Sequence, residues 1–533
     1  MRVLDQASKY AVQKVIDQNA EKLKSIPGFV AAEPGFPIID GTVHKEPAII
    51  VFVTHKMPPT HILEEDRAPR QLGRYRVSVM QADPMRQIMA LPGQALLSAA
   101  VAKSAAGLTY KKIKGNPIDK RFTVKKPMLC HVGPDAGWPV LKPFLEATKK
   151  TLSVAMYDFN ADYIAKTFID MVRANEVKVV LTWDNGMTAP ETKIRTKLRT
   201  TLKDKLDGWI VQCGGGHRFA SAYHEKVAVR DSEAFWLSSG NWSLRSQPEI
   251  DPIGNPASAN GMYGKGNREW HVIIEDEKLA KIFERYIRYD RDGSEAEAKK
   301  GDHGALLAPP QPERFPDLFV PLEQLIGTKE LAAVATPVAP AVLPATARDV
   351  EVLPVLTPDN YLAHIMKLFE EAQRTIYLQY SYITYSDKPV DKPFTLMLKT
   401  LAELSYRPHM DVRIIVGSGD AADNIRKLVE AGFKETVFRS QRNIHNKGIV
   451  VDGKTVLVSS ANWSGDGVLR NRDAGLIIRD AEIAAYYQNV FLDDWNTRAK
   501  ARLDDDPPVM VAEAGAATPA GMVRMSWRDY YGG

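Results

Sequence analysis

Cysteine is scarce in this chain of 533 residues, in which only Cys130 and Cys213 occur. Their separation matches no Cys-x-x-Cys motif, so neither a disulfide framework nor a cysteine zinc site is expected. No apolar run approaches the roughly 18 residues of a membrane-spanning helix. The first residues carry charges throughout instead of the apolar core of a signal peptide. These absences favour a cytoplasmic protein that would meet a lipid substrate only peripherally, at the membrane surface.

An excess of one charge is also missing. The chain has 70 Lys and Arg against 65 Asp and Glu, which gives a net charge of +5. This mild basicity suits an anionic substrate but does not distinguish nucleic acid, anionic lipid and small phosphodiesters. Dense basic patches with interleaved aromatic residues, which are typical of strong nucleic-acid binding, are not found.

What the chain does contain is a polar pattern that occurs twice. The first copy consists of His224, Lys226, Asp231, Ser239 and Asn241, and the second of His445, Lys447, Asp452, Ser460 and Asn462. The spacing from His to Asn is the same in both copies. A histidine, a lysine, a hydroxyl and an amide suit cleavage of a phosphodiester through a phosphohistidine.

The repeat extends beyond these residues. Gly133-Pro134-Asp135 and the apolar segment 151–157 have counterparts in Thr357-Pro358-Asp359 and the segment 375–380. The nearly constant offset indicates two duplicated domains. In each of them, apolar strands alternate with helices, which is typical of an α/β fold with a largely parallel or mixed sheet.

Composition divides the chain into five parts. The expected parts are an N-terminal α+β domain at 1–122, an α/β half at 123–292, a Pro/Ala-rich linker at 293–348, a second half at 349–500 and a tail at 501–533. The N-terminal part includes a predicted helix at 6–23 and a predicted strand at 48–54. Its histidines His44, His55 and His61 have no metal-ligand spacing, so we interpret them as surface residues.

Each motif is expected to form a β-hairpin. Asp452-Gly453 is a turn signal, and residues i and i+2 of a strand face the same way. A two-residue turn therefore places the polar groups of one motif on one face. If Gly453 and Lys454 are the two turn residues, the expected opposite pairs are His445 with Asn462 and Lys447 with Ser460, and correspondingly His224 with Asn241 and Lys226 with Ser239. If the turn residues are instead Asp452 and Gly453, the register shifts by two and the polar groups still share one face. A three-residue loop would misalign the faces.

The repeated motif resembles the signature of the phospholipase D superfamily, and the chain resembles a single-chain member with two motifs. Two departures occur. Ser238 and Ser459 replace the glycine before the motif serine, and the downstream Asn-Arg-acid element ends in Glu269 in the first half but in Asp473 in the second. Neither departure removes a group expected to contact phosphate.

This resemblance implies two phospholipase D-like αβα-sandwich domains about a pseudo-twofold axis, with both histidines in one cleft. It implies a mechanism without metal or cofactor, with His224 as nucleophile and His445 as general acid and base. The expected phosphate contacts come from Lys226, Lys447, Asn241, Asn462, Ser239 and Ser460. Glu269 and Asp473 are expected to orient the histidines, and Asp231 and Asp452 to be structural turn residues.

Three functions remain open at this point. The first is phospholipid hydrolysis or headgroup transfer, the second is a nuclease or DNA-adduct phosphodiesterase, and the third is a catalytically silent scaffold. The halves differ at residues 247–266, an insertion rich in Gly, Pro, Asn and Ser that only the first half carries. It is either a rim loop that shapes substrate access or a passive surface loop.

Overall fold

Two eight-stranded sheets, as counted over the described residues, form the centre of the computed structural model. The described residues are 3–90, 107–300, 315–322, 336–417, 419–503, 508–513 and 515–531.

The N-terminal domain combines helices with a small sheet. Its helices are α1 Gln6–Gln18, α2 Ala20–Lys24 and α3 Pro84–Ala90, and its strands are β1 Phe29–Gly35, β2 Ile38–Ile39, β3 Thr42–Val43, β4 Ala48–Val53, β5 Gln71–Leu72 and β6 Tyr75–Gln81. The predicted helix at 6–23 is thus interrupted at Asn19. His44, His55 and His61 are all exposed, as interpreted from their spacing.

The first α/β half begins after the short strand β7, Phe122–Val124. Its strands are β8 Met128–Gly133, β9 Thr151–Met156, β10 Lys178–Asp184, β11 Leu206–Val211, β12 Lys226–Arg230, β13 Ala234–Ser238 and β14 Glu269–Ile274. Its helices are α4 Gly137–Glu146, α5 Asp162–Asn175, α6 Ala189–Leu202, α7 Met262–Lys265 and α8 Glu277–Ala298. The boundary predicted after residue 292 falls inside α8.

The second half repeats this order after two strands of the connecting segment, β15 Leu318–Pro321 and β16 Ala341–Leu343. Its strands are β17 Val350–Leu356, β18 Thr375–Tyr380, β19 Asp411–Gly417, β20 Phe438–Gln441, β21 Lys447–Val451, β22 Thr455–Ser459 and β23 Ala474–Arg479. Its helices are α9 Tyr361–Glu371, α10 Lys392–Leu404, α11 Ala421–Glu430, α12 Gly465–Leu469 and α13 Ala481–Thr497. The tail adds β24 Met510–Val511, β25 Met522–Met525 and α14 Trp527–Tyr531.

The two large sheets have the same topology. Their orders are β11-β10-β9-β12-β13-β14-β8-β16 and β20-β19-β18-β21-β22-β23-β17-β7. Each sheet borrows its last strand from outside its half. The connecting segment supplies β16, which pairs with β8, so part of the predicted linker is an edge strand. Strand β7, which precedes the first half, pairs with β17 of the second.

The halves share a hydrophobic core. Val227, Phe235 and Leu237 of the first hairpin pack in the same cluster as Val450 and Val456 of the second. The opposite faces of the two hairpins belong to separate clusters, under α4 to α6 in one half and α9 to α11 in the other. Burial on both faces explains why these strands read as continuous apolar runs. Both cysteines are buried and unbridged.

Candidate active site

The two histidines of the repeated motif each bind a carboxylate of the opposite half. His224 Nδ1 lies 2.7 Å from Asp473 Oδ1, and His445 Nδ1 lies 2.6 Å from Glu269 Oε1. All four side chains are at least 94% buried. Sequence reasoning expected the acids to orient the imidazoles but did not say which acid meets which histidine. The pairing is crossed, so neither half contains a complete histidine–carboxylate pair.

The motif serines complete these crossed pairs. Ser239 Oγ donates to Glu269 Oε2 at 2.6 Å, and Ser460 Oγ donates to Asp473 Oδ1 at 2.8 Å. Ser239 Oγ also accepts from the backbone of Trp270, and Ser460 Oγ from that of Ala474. The serine hydroxyls are therefore engaged with the carboxylates, which differs from the expectation that they donate to phosphate.

The two lysines lie in the same buried cluster. Lys226 Nζ donates to the backbone oxygen of His224 at 2.8 Å, and Lys447 Nζ donates to that of His445. Both lysines are fully buried, and the motif residues Asn241 and Asn462 are also buried. Burial, followed by repulsion from Lys447, lowers the pKa of Lys226 well below its ordinary value, so the lysines of the two halves interact with each other.

Burial shifts the proton equilibria of the site. It lowers the pKa of His445 to about 3 and that of Lys447 to about 7. Burial, followed by repulsion from Lys226, also lowers the pKa of His224. Burial opposes ionisation of Glu269, but His445 and Lys447 outweigh it and lower the pKa of this carboxyl. The lowered pKa values of His224 and His445 favour the neutral imidazole at neutral pH, which is the nucleophilic state of a histidine.

The motif aspartates anchor the hairpins from outside the cleft. Asp231 accepts hydrogen bonds from the backbone N–H groups of Lys149, Lys150 and Thr151. Asp452 does the same for Gln373, Arg374 and Thr375. Each aspartate thereby binds the start of the central strand of its sheet, an arrangement that supports a structural role.

This anchoring corrects the expected hairpin register. Val451 pairs with Thr455, and Arg230 pairs with Ala234, so both loops have three residues instead of two. Asp231 and Asp452 adopt left-handed φ angles of 53° and 52° in these loops. Lys226 consequently lies in register with Ser238, and the polar groups do not form one hairpin face.

The polar groups meet because the chain leaves the strands and pairs with the opposite half. Strand β12 begins only at Lys226, and His224 N donates to Arg472 O at 2.6 Å. His445 N likewise donates to Arg268 O at 3.1 Å. The backbone of the Asn-Arg-acid element in one half therefore holds the histidine of the other.

Buried arginines in these elements join the halves. Arg268 Nε donates to Asp494 Oδ2 at 3.0 Å, while its Nη1 donates to Asp135 Oδ2 at 2.5 Å. Both acids are fully buried.

The second half repeats the network. Arg472 Nε donates to Asp290 Oδ2 and its Nη1 to Asp359 Oδ2, both at 2.7 Å. Sequence reasoning did not assign these six residues, although the repeated Asp135 and Asp359 elements were a visible signal.

The two serines that replace the motif glycine hold the turn that follows each hairpin. Ser238 Oγ accepts from Gly240 N at 2.7 Å and lies 2.6 Å from Nδ1 of the buried His271. Ser459 Oγ accepts from Ala461 N at 3.0 Å. Both contacts restrain the turn that leads to the motif asparagine.

The insertion at 247–266 reaches the second half. It contains a 3₁₀ turn at Pro256–Ala259 and helix α7. Asn443 Nδ2 donates to the backbone oxygen of Tyr263 at 2.6 Å, and Arg245 donates to Asn443 Oδ1. Because Asn443 lies two residues before His445, the insertion contacts the segment that carries the second histidine.

Other classes of site are not evident in the part of the chain that the structure describes. It contains no group of three or more His, Cys, Asp and Glu that could hold a metal ion. None of its helices is long and apolar enough to cross a membrane.

Comparison with known families decides the family. A profile described as "Cardiolipin synthase, PLD-like domain" matches residues 141–291 and 365–495, which is more than half of the chain. The chain belongs to the phospholipase D superfamily. The two matched regions correspond to the two α/β halves, so the superfamily assignment and the internal duplication predicted from the sequence are confirmed. Members of this superfamily are phosphodiesterases or phospholipid-modifying enzymes.

Solved structures with a related fold are distant. Phosphatidylserine synthase of Haemophilus influenzae Rd KW20 is 15% identical over 70% of this chain and 89% of its own, with a TM-score of 0.44. Polyphosphate kinase of Porphyromonas gingivalis is 12% identical over 74% and 54%, with a TM-score of 0.38. The phospholipase D family member Nuc of Salmonella typhimurium is 19% identical over 28% and 97%, with a TM-score of 0.23. No curated protein sequence matches the chain significantly.

Proposed function

We propose that this member of the phospholipase D superfamily cleaves phospholipid phosphodiesters through a covalent phosphohistidine, with water or an alcohol as the acceptor. The observation that carries the proposal is the crossed pairing of His224 with Asp473 and of His445 with Glu269. Each of the two histidines is oriented by a carboxylate at its Nδ1, and both lie in one buried cluster. This arrangement suits a reaction that needs a nucleophile and a separate acid.

In the first step, His224 attacks phosphorus through Nε2, because its Nδ1 is hydrogen-bonded to Asp473. The phosphorus–oxygen bond to the leaving group breaks, and His445 donates a proton to that oxygen. His445 Nε2 is buried and has no hydrogen-bond partner in the described part of the chain, which suits an atom that meets substrate. Burial lowers the pKa of His445, and an anionic phosphate beside it would favour its protonated form.

In the second step, water or an alcohol attacks the phosphohistidine. His445 now accepts the proton of the attacking oxygen, and the nitrogen–phosphorus bond to His224 breaks. Lys226 and Lys447, with the amides of Asn241 and Asn462, are proposed to stabilise the charge on the non-bridging oxygens. Ser239 and Ser460 are proposed to act through Glu269 and Asp473, to which they donate hydrogen bonds.

A phospholipid is the proposed substrate because the family match is to a cardiolipin-synthase-like domain and the chain lacks dense basic and aromatic patches. The insertion at 247–266 is proposed as a rim of the cleft on account of its contact with Asn443.

The proposal is tested by incubating the protein, in EDTA, with phosphatidylcholine, phosphatidylglycerol and single- and double-stranded DNA. Release of the lipid headgroup, or its exchange when ethanol is added, supports a phospholipid substrate. Cleavage of DNA alone would assign the protein to the nuclease branch. A parallel assay without EDTA is the reference: lipid activity that appears only without EDTA would contradict the metal-free mechanism. No turnover of any of these phosphodiesters in either assay would favour the scaffold alternative.

A further inference from the structure

The C-terminal tail contacts the connecting segment and both α/β halves. Strand β25 pairs with β15 of the connecting segment, and the short helix α14 follows it. Trp527 of this helix stacks on Phe315, with ring centroids 4.5 Å apart. Tyr531 donates to Asp420 Oδ2 of the second half at 3.0 Å. The tail is thus packed against both α/β halves.

Arg528 of this helix is buried in the first half, with 6% of its surface exposed. It donates to Glu191 Oε1 at 2.7 Å and to Asp184 Oδ1. Asp184 is the last residue of β10, which pairs in parallel with β9. Two buried carboxylates hold this guanidinium in place, and removal of Arg528 would leave both of them without this cation.

Two short chains of contacts lead from Arg528 to His224. Its guanidinium carbon lies 4.0 Å from the centre of the Tyr157 ring, and that ring packs edge-on against the imidazole of His224, with centroids 4.6 Å apart. In addition, Asp184 Oδ2 accepts the backbone N–H of Tyr223 at 2.8 Å, and Tyr223 directly precedes His224. The side chain and the backbone of His224 are therefore both supported from Arg528.

The described residues of the second half contain no counterpart of this assembly. Alignment of β9 with β18 at Thr151 and Thr375 places Ser381 opposite Tyr157. The corresponding alignment of β10 with β19 places Gly417 opposite Asp184. The contacts of Arg528 therefore concern one histidine of an otherwise symmetric pair.

We propose that Arg528, supplied by the C-terminal helix, is a positioning residue for His224 that acts through Tyr157 and Asp184. This inference rests on the proposed function in that it assigns a partner to the proposed nucleophile. Arg528 does not touch the reacting atoms; it holds the aromatic ring and the carboxylate between which the Tyr223–His224 segment lies.

The test compares R528Q and R528K with R524Q, a control in the same tail whose side chain is 37% exposed and pairs with Asp317. For headgroup release from phosphatidylglycerol vesicles, R528Q should lower kcat about tenfold with KM within about twofold, and R528K should recover part of the loss. The acidic limb of the pH profile should move to higher pH in R528Q, because loss of the cation leaves Asp184 and Glu191 to favour protonated His224. R524Q should match the wild type.

A second readout does not require turnover. Diethyl pyrocarbonate modifies neutral imidazoles, and mass spectrometry of peptides reports His224 and His445 separately. R528Q should change the modification rate of His224 at least about threefold and leave that of His445 within about 1.5-fold, since only His224 is supported by Tyr157 and Asp184. Equal changes at both histidines, or none at His224, would overturn the inference. An inactive wild type in which this selective change persists would refute the proposed substrate and not the role of Arg528.

Discussion

The two halves of the molecule are alike in the buried cluster of histidines, lysines and carboxylates and different in the segments around it. Each half gives one histidine, one lysine and one carboxylate, and each histidine binds the carboxylate of the other half. The differences lie around this centre: the first half has the insertion at 247–266 and the Tyr157–Arg528 assembly. The duplication thus brings two equivalent histidines together, while the surroundings of the two histidines differ.

The largest expected effect comes from the histidines. H224A and H445A should each lower kcat at least about 10³-fold, because each removes a reacting group while the rest of the site stays in place. Headgroup release measured with saturating phospholipid checks this expectation. If either variant keeps a near-normal rate, the paired-histidine scheme is wrong.

Trapping the covalent intermediate can distinguish the roles of His224 and His445. In H445N the nucleophile remains, but leaving-group protonation and water activation are both impaired. With a p-nitrophenyl phosphodiester, whose leaving group needs no proton, an acid-labile phosphohistidine should therefore form on His224 and accumulate. Mass spectrometry of peptides isolated at high pH locates this group. A phosphoryl group found only on residue 445 in the reciprocal variant H224N would reverse the assignment of the nucleophile.

The next effect concerns the buried arginines, which test whether the halves are equivalent in stability. R268M and R472M each leave one buried carboxylate, Asp135 or Asp359, without its arginine, and remove one of the two arginines that bind Asp494 or Asp290. This loss should cost about 3–5 kcal/mol of the free energy of unfolding. Urea unfolding followed by fluorescence measures it. The control R121Q breaks an exposed pair with Glu351 and should cost no more than about 1 kcal/mol. A difference above about 2 kcal/mol between R268M and R472M would contradict the symmetry of the two networks.

A smaller loss is expected for the carboxylates. E269Q and D473N keep the shape of the side chain but no longer stabilise a protonated imidazole, so kcat should fall about 10²-fold. The crossed contacts give the sharper expectation that E269Q alters the diethyl pyrocarbonate reactivity of His445, and D473N that of His224. If each substitution instead affects the histidine of its own half, the crossed pairing does not exist in solution.

Much of the fold could be predicted because it follows from local patterns. The strand predicted at 375–380 coincides with β18, and the apolar residues of both hairpins are buried as their pattern indicated. The motif spacing also identified the groups that the structure brings together. These features depend on which residues are near each other along the chain, and the sequence displays that directly.

The remaining features depend on contacts between distant segments. The spacing within a motif does not reveal that Glu269 meets His445, 176 residues away. The expected hairpin register was wrong because Asp231 and Asp452 look like ordinary turn residues in the sequence. In the structure their carboxylates bind the start of the neighbouring strand in the sheet, and each lies in a three-residue loop. Arg528 is one arginine in a tail without any periodic pattern, so no signal marked it.

The lysines provide a prediction on the scale of about tenfold. Burial lowers the pKa of Lys447 to about 7, and a bound anion favours the charged amine. Above pH 7 an anion must therefore bind together with a proton, and its affinity should fall by up to about tenfold per pH unit. Inhibition by tungstate between pH 6 and 9 checks this expectation, and K447M should make the slope shallower without removing it, because burial also lowers the pKa of Lys226. An inhibition constant independent of pH would show that Lys447 is already charged before the anion binds.

The smallest expected effect belongs to the insertion, and it concerns the difference between the halves most directly. The corresponding segment of the second half is much shorter, so the first half should still fold when residues 247–266 are replaced by a short Gly-Ser linker. Loss of the contact between Tyr263 and Asn443 should raise KM for phospholipid vesicles by a few fold and change kcat less, since the reacting groups stay in place. A water-soluble diester such as bis(p-nitrophenyl) phosphate, which needs no rim, should be affected less than vesicles. Unchanged kinetics with every substrate would show that the insertion is a passive loop, and the asymmetry of the cleft would then rest on Arg528 and Tyr157 alone.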